Sequence, residues 1–149
     1  MADSPGQAGH RRARYRAFLS IPTRWMDNDI YGHVNNVVYL SYFDTAVNEH
    51  LIRAGGLDIA AGPEIALVVE TSCRFHKSLS FPEVIDAGLC VTKLGNSSVR
   101  YEIALFRQHE DEPAAIGHFV HVWVDRAQRR PTPLPPRVRA ALAPLVVSV

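Results

Sequence analysis

Only one long run in this chain has a helical period. Between Val37 and Ala54, apolar residues recur at Leu40, Phe43, Val47 and Leu51, with Ala46 and Ala54 flanking. That is the spacing of a helix burying one broad face. Gly55 and Gly56 supply its stop. After Pro63 the period changes to two. Ile65, Leu67, Val69, Thr71, Cys73 and Phe75 point one way and Glu70, Ser72, Arg74 and His76 the other, which predicts a long strand. Three more strands are predicted over 84–94, 97–108 and 115–126, joined by the turns "LGN" (94–96) and "HEDEP" (109–113). An extended stretch over 15–25 precedes the helix. One apolar helix with about five strands in this order defines an α+β chain, an antiparallel sheet wrapped around a single helix. Such a sheet has unpaired edges and little to fill its concave face, so a homodimer or homotetramer is predicted.

Composition narrows the possibilities. With 149 residues, 47% hydrophobic and 21% charged, the chain suits one globular domain. A formal charge of +1 argues against a nucleic-acid partner, because proteins that track phosphate backbones carry a marked excess of Lys and Arg. Residues 1–14 read as a disordered basic tail, 15–127 as the domain, and 128–149 as a proline-rich segment with a short helix near 137–145. No apolar run follows the N-terminal arginines and no stretch of ~20 apolar residues occurs, so no membrane association is predicted and a cytoplasmic protein is expected. Cys73 and Cys90 sit in separate apolar runs and read as core thiols. His118 and His121 fall on opposite faces of one strand; no metal set and no cofactor is predicted. There is no G-x-S-x-G elbow and no glycine-rich phosphate loop.

What remains is the segment "RWMDNDIYGHVNNVVYLSYFD", residues 24–44, which places two aspartates, a histidine and two asparagines at the entrance of the helix. Asn35 and Asn36 stand where the first helical amides need caps, and a helix N-terminus offers free N–H donors at the positive end of its dipole. An oxyanion would be stabilised there. Gly32 frees the backbone to approach a ligand. Asp29 sits in the loop just before the helix, together with Gly32 a candidate for chemistry on a bound ligand, whereas Asp27 reads as a loop residue that hydrogen-bonds its own backbone.

The string D-x-D-x-x-G-H-V-N-N before a Tyr-rich amphipathic helix resembles the hotdog-fold thioesterases of the 4-hydroxybenzoyl-CoA thioesterase type, and "FHKSLSFPEVI" and "KLGNSSVRYEI" resemble that family's second to fourth strands. The resemblance covers residues 15–127. It implies a hotdog fold, an acyl-CoA substrate, Asp29 as nucleophile or general base, and the Asn36 amide as oxyanion donor. Plant acyl-carrier-protein thioesterases share D-x-D and H-V-N-N, but their histidine follows an asparagine by two residues. Here Tyr31 occupies that place, which leaves His33 open between catalysis, orienting the loop and lining the pocket. Tyr31, Gly32 and Asn35 are counted with the substrate-binding residues. Coenzyme A carries phosphates, so cations and hydroxyls are expected at the pocket mouth: Lys77, Asn96, Ser97, Ser98 and Arg100, similar to stretches that bind the nucleotide end in relatives. Acyl-carrier-protein thioesterase, hydratase or dehydratase, and non-catalytic acyl-CoA binder are the alternatives. The hydratase motif D-x-N-P-x-H is not matched by "DIYGH".

Overall fold

A computed structural model describes residues 9–148. Its elements run β1 (Ala17–Pro22), α1 (Asn36–Arg53), β2 (Glu64–Phe75), β3 (Val84–Leu94), β4 (Ser98–Arg107), β5 (Ala115–Asp125) and α2 (Pro136–Leu142). The five strands form one antiparallel sheet in the order β1-β3-β4-β5-β2, and α1 lies against one face of it. This is the hotdog fold, an α+β architecture. β1 and β2 are the edges.

The inner face carries the core. Leu89, Val91, Val99, Tyr101, Ile103, Leu105, Phe119 and Trp123 pack beneath Tyr39, Tyr42, Phe43, Ala46, Val47 and Leu51 of α1. The helix therefore rolls slightly from the phase read in the sequence. Tyr39 and Tyr42 are buried, while Leu40 is 36% exposed and Ala54 is exposed. The two tyrosines carry apolar rings as large as any aliphatic side chain, and they define the buried stripe.

Gly117 sets how closely the helix sits. A Cβ there would run into the Phe43 ring, so the ring lies directly on bare backbone.

β2 departs from simple alternation. A bulge shifts the register between Val68 and Glu70. Beyond it Thr71, Cys73 and Phe75 pair with Phe119, Gly117 and Ala115 on the inner side, but before it the inner positions are Ala66 and Val68, opposite Trp123 and His121. Ile65 and Leu67 consequently share the outer side with Glu70, Ser72 and Arg74, because one unpaired residue reverses the face of everything before it.

Two terminal segments also differ from expectation. Residues 10–14 bind the outer sheet face instead of trailing into solvent: Arg12 pairs with Asp86 at 3.0 Å and stacks 4.8 Å from the Phe106 ring, and Arg14 pairs with Glu102 at 2.8 Å. Residues 1–8 of the expected tail lie outside the described residues. The C-terminal segment contributes Leu134, Val138, Leu142 and Leu145 to the main core, so it belongs to the domain.

Candidate active site

The loop between β1 and α1 is held at both ends. Asn28 bridges to Val34, and Asp29 accepts from the Gly32 amide (3.1 Å) while its own amide donates to His33 O (2.9 Å), closing a tight turn. Gly32 has φ +81, a conformation costly for residues with a Cβ, which explains a glycine at this point. The segment after β2 clamps the loop: Val34 N–H donates to Leu79 O at 2.7 Å, the Phe81 amide to Asn28 Oδ1 at 3.0 Å, and Ser80 Oγ to Gly32 O at 3.1 Å.

Asp27 is the anchor of this arrangement. Only 1% exposed, it accepts from Tyr42 OH at 2.7 Å, from the Arg24 amide at 2.9 Å and from Arg24 Nε at 3.1 Å. Burial alone would raise its carboxyl; the hydrogen bonds from Tyr42 and Arg24 outweigh that and hold it below the ordinary value. All its lone pairs face protein donors, and it fixes the loop to the helix.

Asp29 is different. It is half-buried, and the contact made by its carboxylate is a 2.8 Å bond from the Tyr31 amide to Oδ1. A cavity of about 370 Å³ opens beside it, lined by Asp29, His33, Val34, Asn36, Tyr39, Phe75, His76, Lys77 and Ser78. Asn35 is the cap of α1, its Oδ1 accepting from Val37 N–H at 3.2 Å. Asn36 is the first helical residue, and its amide has no acceptor among the described residues. One cavity is thus lined by a carboxylate residue and by the residue that carries an unpaired helix-terminal N–H.

The structure gathers Asp29, His33, Asn36 and Lys77 of the sequence-derived set. Tyr31 is 79% exposed on the turn, and Asn35 and Gly32 shape the backbone without lining the cavity. Lys77 Nζ lies 3.3 Å from both Glu110 and Glu112, so its charge is already matched. Asn96, Ser97 and Ser98 lie at the far turn, where their backbones serve the fold: Leu134 N–H of the C-terminal segment donates to Asn96 O (3.0 Å), Trp123 N–H of β5 to Ser97 O (2.7 Å), and Gly95 N–H to Ser98 O (2.8 Å). Arg100 projects onto the outer face, away from Asp29.

Sequence reading missed Tyr39, Phe75, His76 and Ser78. Tyr39 lies edge-on to Phe75 at 4.9 Å, forming the apolar wall. His76 Nε2 is buried with no partner among the described residues, and burial lowers its imidazole, with Arg74 and His10 pushing the same way. A signal existed: "FHKS" closes the predicted strand, and the end of an edge strand is a natural cavity wall.

The chain belongs to the thioesterase-like superfamily, whose family model matches residues 23–142. It is a thioester hydrolase by class. The match runs past residue 127 through α2, in keeping with the packing of that helix into the core. Among solved structures, the PA5185 protein of Pseudomonas aeruginosa is 53% identical over 93% of this chain and 97% of that one, with a TM-score of 0.91. PA2801 of the same organism is 34% identical over 85% and 97%, TM-score 0.75. A thioesterase from Thermus thermophilus, solved with coenzyme A and zinc, is 29% identical over 86% and 92%, TM-score 0.72. Comparison with curated proteins returns no match. Among the described residues, no helix is long and apolar enough to cross a membrane.

Proposed function

We propose that the chain hydrolyses an acyl-CoA thioester, with Asp29 as the reacting carboxylate. The observation that carries this reading is that Asp29 and Asn36, whose amide has no acceptor among the described residues, line one cavity. A thioester carbonyl oxygen directed at the Asn36 N–H would have its developing charge held by that donor, an interaction worth ~3 kcal/mol in enzymes where one has been removed. Asp29 then either attacks the carbonyl carbon, giving an acyl anhydride that water opens, or takes a proton from the attacking water. In both routes the C–S bond breaks and coenzyme A leaves as its thiol. His33, exposed at the rim, orients the loop or the incoming thioester.

The acyl group has an apolar wall at Tyr39 and Phe75, but the cavity is open on one side. We propose that a second copy closes it. β2 is a twelve-residue edge carrying exposed Val68, Val69 and Phe75, and Phe75 lines the same cavity as Asn36 at the start of the helix. Exposed apolar residues along an unpaired edge favour edge-to-edge pairing, and a homodimer satisfies both.

Thiol release from a panel of acyl-CoA thioesters tests the activity. Release above the buffer rate that disappears in Asp29→Asn supports the reading. No release from any member, or release unaffected by the substitution, overturns it.

A further inference from the structure

The sheet's outer face holds a second cavity. Glu102 on β4 is 2% exposed although no helix covers it. What buries it is the N-terminal segment: Arg14 Nε at 2.8 Å, Tyr15 OH at 2.9 Å and His10 at 3.2 Å. Across the sheet Glu102 faces His118 on β5, and His118 faces Ser72 on β2. Around this row lies a hollow of about 340 Å³ lined by His10, Ser72, Arg74, Arg100, Ile116 and His118. An adjoining hollow of about 450 Å³ shares His10, Arg100 and His118 and adds Lys93 and Thr92.

The charges here are not used up by the fold. Glu102 is taken by Arg14, Tyr15 and His10, but the Arg74 guanidinium has no hydrogen bond or ion pair among the described residues, and the Arg100 guanidinium has only a 3.9 Å pairing with Glu70. His118 Nδ1 is buried without a partner among the described residues, and its Nε2 lies 4.0 Å from Glu102. Two guanidinium groups, the His118 imidazole and a serine hydroxyl therefore converge as donors on one space, His10 being held by Glu102. Planar guanidinium forks match phosphate oxygens two at a time, and several cations in one hollow suit a ligand carrying more than one phosphate. The volume exceeds what a single free anion fills.

Position links the hollow to the catalytic cavity. Arg74 lines the outer one, while Phe75, His76 and Lys77, the next residues along the chain, line the inner one. A ligand passing over the end of the edge strand would touch both. Pairing of β2 with a second copy uses its backbone groups and leaves the Ser72 and Arg74 side chains facing outward.

We infer that the outer-face hollow binds the phosphate groups of the thioester's carrier, with Arg74, Arg100, His118 and Ser72 as donors. The identity of the carrier rests on the thioesterase reading; the phosphate chemistry does not.

Calorimetric titration of the full chain with coenzyme A, dephospho-coenzyme A and inorganic phosphate tests this, alongside Arg74→Gln, His118→Asn and Glu70→Gln. Losing one charge-assisted donor should weaken coenzyme A binding by about tenfold. Glu70→Gln, which removes the carboxylate competing for Arg100, should strengthen it, a change of sign that general damage would not give. Arg74→Gln should also raise KM for acyl-CoA, leaving kcat and the KM of the matching acyl-pantetheine unmoved. Coenzyme A affinity unchanged in both Arg74→Gln and His118→Asn overturns the pocket even if thioesters are hydrolysed. Absence of hydrolysis together with affinity lost in those variants overturns the thioesterase reading and upholds the pocket. Inorganic phosphate binding as tightly as coenzyme A, and lost in the same variants, removes the carrier and makes free phosphate the occupant.

Discussion

Two aspartates two residues apart have opposite fates. Asp27 is enclosed by Tyr42 and Arg24, and Asp29 faces a cavity with one backbone partner. Asp29→Asn is expected to cut turnover at least ~100-fold while leaving the unfolding midpoint unchanged, as for a positioned acid–base group. Asp27→Asn is expected to do the reverse, costing about 2 kcal/mol of stability through loss of a buried charge-assisted network, with activity falling only as the loop loosens. Urea unfolding and initial rates on the two variants separate the roles. His121, 2% exposed on the inner face, gives a pH signature: burial pushes its imidazole down to about 4. An unfolded histidine titrates near ~6.5, so between these values the unfolded chain holds the extra proton and stability falls as pH falls. The loss is on the order of 3 kcal/mol, complete near the folded value. His121→Asn should flatten that part of the stability–pH curve measured by urea titration; an unaltered slope would assign the acid sensitivity elsewhere.

At the scale of elements, α1 and four strands were legible because each buries one face and so repeats its apolar residues at the period of its backbone. That Asp29, His33 and Asn36 would meet at one cavity was legible as well, since they lie in one contiguous loop and helix start. The Val69 bulge was not: it inserts one residue into a run of β-branched side chains that look alike on either face. The roll of α1 onto Tyr39 and Tyr42 was hidden because the aliphatic and Phe positions alone already complete a helical stripe that leaves both tyrosines out. Arg74, Ser72 and His118 meet through strand pairing of residues distant in the chain, and no spacing records that. Nor does any spacing record that Gly117 faces Phe43. Gly117→Ala is expected to destabilise by ~1–3 kcal/mol, the usual range for overpacking a filled core, measured as a lowered urea midpoint.

For the molecule as a whole, the exposed β2 edge and the half-open cavity belong to one question. Light scattering of the purified chain should give at least twice the 16.6 kDa protomer mass. Val68→Lys, at a position 47% exposed on that edge, should shift the protein toward monomer and lower activity together, since charged edge residues oppose strand pairing. A monomer with full activity would show that one copy suffices for catalysis.

The contact between Phe43 and Gly117 also has a history written into it. A residue larger than glycine at 117 needs the ring at 43 to shrink first and the β2 backbone to give as well, because the added Cβ would also stand 2.8 Å from Ser72 O, whereas a smaller residue at 43 needs no prior change at 117. Descendants of this chain can therefore travel between a ring-over-backbone helix seat and a conventional one in a single order of steps, and a relative with alanine at the position of Gly117 is expected to carry a small side chain where this one has Phe43.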